Sequence, residues 1–73
     1  MKANDLNNLR ADLIGELEAI NQYQEHLDQT EDEKLKELWH HIIADEKEHV
    51  AEIVKLLREI DPVQEEKFKK EDL

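Results

Sequence analysis

A predicted helix carries the stretch Ile42-Ile43-Ala44-Asp45-Glu46-Lys47-Glu48-His49-Val50, in which Glu46 and His49 interrupt an otherwise apolar face. Residues three apart lie on the same side of a helix, so these two side chains share one direction. Burying a charge is costly unless another group pairs with it. A second interruption lies upstream, where Glu16 occupies the position between Leu13 and Ile20 in an apolar series. The sequence therefore predicts that polar groups meet inside an apolar seam.

Length and composition limit the class of protein. The 73 residues suit one small domain with a modest core, and the chain has no cysteine for disulfides. A metal or oligomerisation is the expected source of additional stability. The net charge of −10 repels nucleic acid and anionic membranes, and no apolar run approaches the roughly 18 residues of a membrane span. We therefore expect a soluble, cytoplasmic protein with no nucleic-acid and no membrane partner.

Apolar periodicity predicts three helices, over about residues 5–29, 31–60 and 62–72 of one domain, 1–73. The connections between them are short, which makes the two long helices antiparallel neighbours. The fold class is therefore all-α: an antiparallel two-helix hairpin plus a short C-terminal helix. The apolar face of the second helix is wider than one partner helix can cover, so we expect dimerisation to complete a four-helix bundle.

Capping residues suggest where each helix begins. Asn4 or Asp5 suits the N-cap of the first helix. Residues Thr30–Glu33 have the Thr-x-x-Glu form of a capping box, which predicts that the second helix begins at residue 31. Asp61 and Pro62 suit the cap and the first position of the third helix.

The register of the hairpin follows from the apolar positions alone. Facing residues in an antiparallel pair have position numbers with a constant sum. Four pairs share the sum 62: Leu27 with Leu35, Tyr23 with Trp39, Ile20 with Ile42, and Leu9 with Ile53. The same sum places Glu16 opposite Glu46, with His49 one turn further along the second helix.

Other histidines fail this positional test. Glu37 and His40 form a second Glu-x-x-His pair, but at about 100° per residue Glu37 lies opposite Glu46 around the helix. We interpret that pair as solvated. His26 and His41 also fall outside the apolar line, and we do not expect either to bind metal in the main site.

Glu16, Glu46 and His49 have two interpretations. They could form a hydrogen-bonded polar layer that fixes the register of the seam. However, no Lys or Arg lies on the seam to neutralise the carboxylates, whereas a divalent cation would do so. One hairpin supplies half the ligands of a dinuclear carboxylate site, so a homodimer would complete it. Four carboxylates then balance two divalent cations, and oxygen and imidazole ligands suit Fe(II), Mn(II) or Zn(II).

The segment Glu16-Leu17-Glu18-Ala19-Ile20-Asn21-Gln22-Tyr23, followed by Glu46-Lys47-Glu48-His49, resembles the encapsulated ferritins. The resemblance covers about residues 10–62. It implies a ferritin-like four-helix bundle built from two chains, with dimers assembled into a ring such as a decamer. It also implies a ferroxidase that oxidises Fe(II) with dioxygen at an inter-subunit di-iron centre, for iron storage or detoxification inside an encapsulin shell, and hence localisation in an encapsulin nanocompartment.

The resemblance also assigns roles to residues. Glu16, Glu46 and His49 match the ligands of two Fe ions per dimer interface, for which Ca, Zn or Mn are possible surrogates. Glu18 matches a carboxylate that binds metal on the approach to the centre. Three roles are open for Tyr23. It is expected to contact the metal ligands without binding metal, to donate an electron, or to pack in the core against Trp39.

Two competing functions remain open. A rubrerythrin-like peroxidase or another di-iron oxidase could use the same ligands, although the chain has no rubredoxin-type cysteines. A helical oligomerisation module would need no metal. The chain ends Lys69-Lys70-Glu71-Asp72-Leu73 and not in the apolar-basic tail of shell cargo, so we expect a truncated chain, a piece of a fusion, or a protein without a shell.

Overall fold

The computed structural model describes all 73 residues as three α-helices without strands. These are α1 (Asp5–Gln29), α2 (Glu33–Ile60) and α3 (Pro62–Lys70). The prediction of an all-α chain with two long helices and one short C-terminal helix is confirmed. None of the three combines the length and the apolar composition that crossing a bilayer requires.

The turn between α1 and α2 differs from the predicted capping box. Thr30 is extended and outside both helices, and its hydroxyl oxygen accepts a hydrogen bond from the Asp32 backbone N–H at 3.1 Å. Asp32 is the true N-cap, because its carboxylate accepts from the backbone N–H groups of Lys34 and Leu35 at 2.9 and 3.0 Å. The prediction that the second helix begins at residue 31 was therefore wrong by two residues.

The N-terminus of α1 has a related difference. Asn4 occupies the N-cap position, but its side chain makes no capping hydrogen bond. The carboxylate of Asp5 instead accepts a hydrogen bond from the Lys2 backbone N–H at 2.8 Å, which ties down the preceding turn.

The cap predicted for α3 is present, but the helix is shorter than expected. Asp61 accepts from the Gln64 backbone N–H at 3.2 Å, and Pro62 opens the helix. The helix ends at Lys70 and not at residue 72, because Asp72 adopts a positive φ of 60°. The Leu73 backbone N–H then bonds back to the Phe68 carbonyl at 2.9 Å, as in a Schellman termination.

The hairpin encloses very little core. Only Leu27, Ile43 and Leu57 are buried, and α3 packs against α2 but not against α1. The accessible surface is 5788 Å², whereas a compact monomer of this mass exposes about 4,700 Å². A single chain therefore exposes surface that a closed fold of its size would bury.

Arg58 of α2 holds α3 in place. Its guanidinium donates to both carboxylate oxygens of Glu65 at 2.6 to 3.1 Å and to the Leu73 carbonyl at 2.9 Å. The same group lies 4.6 Å from the centre of the Phe68 ring. A second ion pair, between Arg10 and Asp61 at 3.0 Å, ties α1 to the corner where α2 becomes α3.

Gly15 lies in the middle of α1, where glycine costs about 1 kcal/mol relative to alanine. No neighbouring atom lies within 4 Å of the position that an added Cβ would occupy. We expect Gly15→Ala to raise the unfolding free energy by up to about 1 kcal/mol, measured by denaturant unfolding and circular dichroism. Ala44→Gly, on the exposed side of α2, should lower it as the reciprocal control. Destabilisation by Gly15→Ala would indicate that another chain contacts this position.

The docking of α3 should depend on acid. Hydrogen bonds from Arg58 lower the pKa of Glu65, burial partly offsets this, and the charges of Arg58 and Lys69 lower it further. A carboxyl whose pKa is lowered by folding stabilises the folded form above its ordinary pKa. That stabilisation is lost as pH falls through the lowered value.

We therefore expect α3 to stay docked at neutral pH and to loosen in acid, below the ordinary range of a glutamate. The measurement is the NMR shift of the Phe68 ring against pH. Glu65→Gln should remove this pH dependence, and Glu66→Gln, on the exposed side of α3, should retain it. An identical acid transition in parent and Glu65→Gln would contradict the assignment.

Candidate metal centre

Glu16 of α1 and Glu46 of α2 meet across the seam, as the register predicted. The Oε2 atom of Glu16 lies 3.3 Å from Nδ1 of His49, and Oε2 of Glu46 lies 3.7 Å from the same nitrogen. One donor atom from each of the three residues falls within 4.8 Å of the other two. The structure thus brings the three predicted residues together, while their role as metal ligands stays a prediction.

The electrostatics of this cluster are unbalanced. The side chains of Glu16 and Glu46 are only 24% and 19% exposed, and each has its sole ion-pair partner in His49. Two carboxylates therefore share one imidazole, which carries a charge only when it is protonated. Half-buried carboxylates this close repel each other unless a cation lies between them.

The donor set fits a divalent metal ion. An ion bound at about 2.1 Å from each ligand holds its donor atoms roughly 3 to 4 Å apart. The two distances to His49 already lie in this range, so small side-chain rotations suffice. Two carboxylate oxygens and one imidazole nitrogen suit Fe(II), Mn(II) or Zn(II), and three ligands leave much of an octahedral shell open.

The open side of the cluster faces outwards. His49 is 49% exposed, and Leu38 and Leu56 lie within about 20° of it around α2. These leucines are 49% and 44% exposed. The incomplete ligand set is thus exposed on the same side of α2 as these two leucines, and we call this side the His49 face and define it by Leu38, His49 and Leu56.

The remaining candidate residues lie outside the cluster. Glu18 is exposed and points away from Glu16 around α1 by about 160°. Glu37 and His40 are both exposed, in agreement with their interpretation as solvated. His41 pairs with Asp45 at 3.3 Å on the surface of α2.

Sequence reasoning underestimated His26. Its side chain is half-buried, and its ring lies against Tyr23 with the centroids 6.1 Å apart and against Trp39 with the centroids 5.3 Å apart. The register predicted that Tyr23 faces Trp39, and the structure adds His26 as a ring that contacts both. The sequence spacing does indicate the contact with Tyr23, since position 26 is three residues further along and lies on the same side of α1.

Comparison with curated proteins gives relatives associated with encapsulins. The chain is 36% identical over 66 residues to the encapsulin nanocompartment cargo protein EncB of Myxococcus xanthus, covering 90% of this chain and 42% of that protein. It is 38% identical over 56 residues to the cargo protein EncC of the same organism, covering 77% and 43%. It is 39% identical over 56 residues to a ferritin-like-encapsulin shell fusion protein of Pyrococcus furiosus, covering 77% and 16%.

The chain thus spans less than half the length of these relatives. No solved structure matches it at a significant level. The family model EncFtn-like matches residues 1–71, which is nearly the whole chain and includes all three residues of the cluster. This protein belongs to the EncFtn-like family.

Proposed function

We propose that the protein is a ferroxidase whose centre forms between two copies of the chain. The observation that carries this proposal is a half-set of ligands, Glu16, Glu46 and His49, exposed on the His49 face beside two exposed leucines. A second copy placed there doubles the ligands to four carboxylates and two imidazoles. That is the ligand set of the dinuclear carboxylate proteins of the helical-bundle type.

Fe(II) is the substrate at this centre. The carboxylates of Glu16 and Glu46 attract and hold the hard cation, and His49 supplies a nitrogen ligand. Each Fe(II) gives one electron to dioxygen, so two Fe(II) ions reduce dioxygen to the level of hydrogen peroxide with two protons from water. The Fe(III) product is more acidic than Fe(II), so its bound water loses protons, and this loss offsets the two positive charges that oxidation adds.

The assembly proposed here follows from the exposed surface. The single chain exposes about 1,000 Å² more than a compact monomer would, and a standard interface buries about 800 Å² per partner. A homodimer through the His49 face uses most of this excess. Further exposed apolar residues on other sides of the hairpin, Ile14 and Leu17, support assembly beyond a dimer into a ring such as a decamer.

The relatives support an encapsulin shell as the partner. Two are named cargo proteins of encapsulin nanocompartments, and the third is a fusion with a shell. We place the oxidised iron, and the protein itself, inside such a compartment. Glu18 is proposed only as an outer carboxylate that meets iron on its way to the centre.

Loss of one ligand tests the reaction. Glu46→Gln should lower the rate of Fe(II) oxidation by about 100-fold, because it removes a charge that holds the substrate. The rate is followed by near-ultraviolet absorbance after anaerobic Fe(II) protein is mixed with air. Glu37→Gln is the matched control, since Glu37 belongs to the other Glu-x-x-His pair and is exposed. Equal rates for Glu46→Gln and the parent would refute the proposal.

Metal and assembly should depend on each other. Binding across an interface stabilises the assembled state by mass action, so Fe(II), Zn(II), Mn(II) or Ca(II) should increase the mass measured by light scattering, and chelator should reverse it. Leu56→Glu should keep the chain small and inactive without touching a ligand, whereas Val63→Glu on exposed α3 should assemble normally. If the purified protein contains no metal, and its mass is the same with metal and with chelator, the result would favour an oligomerisation module without a metal site.

A further inference from the structure

Three aromatic rings form a series across the hairpin. The ring of His26 lies edge-on to Tyr23, with the centroids 6.1 Å apart, and tilted against Trp39, with the centroids 5.3 Å apart. Both separations lie in the range of direct aromatic contact. All three side chains are half-buried. We call Tyr23, His26 and Trp39 the aromatic cluster.

The aromatic cluster contains the only tyrosine and the only tryptophan of the chain. Tyrosine, tryptophan, cysteine and methionine are the side chains that lose an electron most readily. The chain has no cysteine, and its single methionine is Met1 at the exposed N-terminus. Every readily oxidised side chain inside the fold therefore lies in this cluster. Phe68, the remaining aromatic residue, stacks with Arg58 at the other end of α2.

We propose that the aromatic cluster is an electron-transfer unit that moves an oxidising equivalent from Trp39 through His26 to Tyr23. In this step the neutral radical of Trp39 takes one electron from Tyr23 and one proton from water, which restores the indole N–H. The phenol of Tyr23 loses that electron and releases its proton to water. The transfer runs in this direction because a tyrosyl radical is the weaker oxidant. A soluble reductant of the thiol or ascorbate class then returns one electron and one proton to half-exposed Tyr23.

The source of the oxidising equivalent rests on the proposed ferroxidase function. Fe(II) and hydrogen peroxide react to give Fe(III), hydroxide and hydroxyl radical. The hydroxyl radical adds to an aromatic ring, and loss of water from the adduct leaves the neutral radical of that side chain. Tyr23 lies seven residues from Glu16, about 10 Å along α1. The cluster is thus close enough to intercept oxidants that escape the centre and far enough not to bind its metal. Its effect is that these rings are oxidised in place of Glu16, Glu46 and His49.

The coupling itself can be measured without iron. Pulse radiolysis of the metal-free protein in azide solution produces azidyl radicals, which oxidise Trp39. The visible absorption of the Trp39 radical and of the tyrosyl radical is then followed, and each band belongs to one residue of the chain. We expect the first to decay as the second rises, with one first-order rate at all protein concentrations. A rate proportional to protein concentration, or no tyrosyl band, would overturn the proposal.

Variants locate the path. His26→Ala should slow the transfer several-fold because a gap replaces the ring, and alanine keeps α1 helical. His41→Ala is the matched control, since His41 is an exposed histidine outside the cluster. Tyr23→Phe should abolish the tyrosyl band and lengthen the life of the Trp39 radical. An unchanged rate in His26→Ala would overturn the role of the cluster. A chain that fails to oxidise Fe(II) would refute the ferroxidase but leave this measurement unaffected.

Discussion

The meeting of Glu16 and Glu46 around one imidazole is the constraint on which the rest of this molecule depends. Two half-buried carboxylates share His49 as their only ion-pair partner, in a seam that is otherwise apolar. If the seam existed only for stability, apolar side chains at these positions would be at least as favourable, because a buried ion pair rarely repays its desolvation. The arrangement has a physical reason once a divalent cation joins it. Binding the cation and forming the dimer would then depend on the same three side chains.

The small core of the single chain is a second reason to expect assembly. With three buried residues, the hairpin cannot match the core of a closed domain, and α3 adds no layer over the α1–α2 seam. The same exposed leucines that leave the single chain underpacked flank His49. Covering them with a second copy therefore adds apolar burial and ligands in one step. In the proposed dimer, the contact that stabilises the assembly would also complete the centre, so metal content and oligomeric state should not vary independently.

The sequence predicted the hairpin and the cluster because both depend on long periodic patterns. Apolar positions fixed the register over about five turns of each helix, and a shift of one residue would have separated Glu16 from Glu46. The local choices were harder to predict. Thr30 and Asp32 both suit an N-cap, and the carboxylate that reaches two backbone N–H groups is the one used. The end of α3 depends on a positive φ at Asp72, which composition does not reveal. His26 was excluded only as a metal ligand, and its contacts with Tyr23 and Trp39 were not predicted, because it lies at the edge of the apolar stripe.

Three groups of side chains lie at different levels along the hairpin. The candidate centre lies in the middle of the seam, the aromatic cluster lies toward the α1–α2 turn, and the ionic contacts of Arg58 and Arg10 hold the opposite end. This order follows from chemistry. In the roles proposed above, the oxidisable rings would need to be near the centre but outside its ligand set, whereas guanidinium groups next to the carboxylates would neutralise the charge that attracts cations. Arg58 lies about three turns from Glu46 along α2. The guanidinium of Arg10, less than two turns from Glu16 along α1, is paired with Asp61, so the charge of the carboxylates stays free for metal.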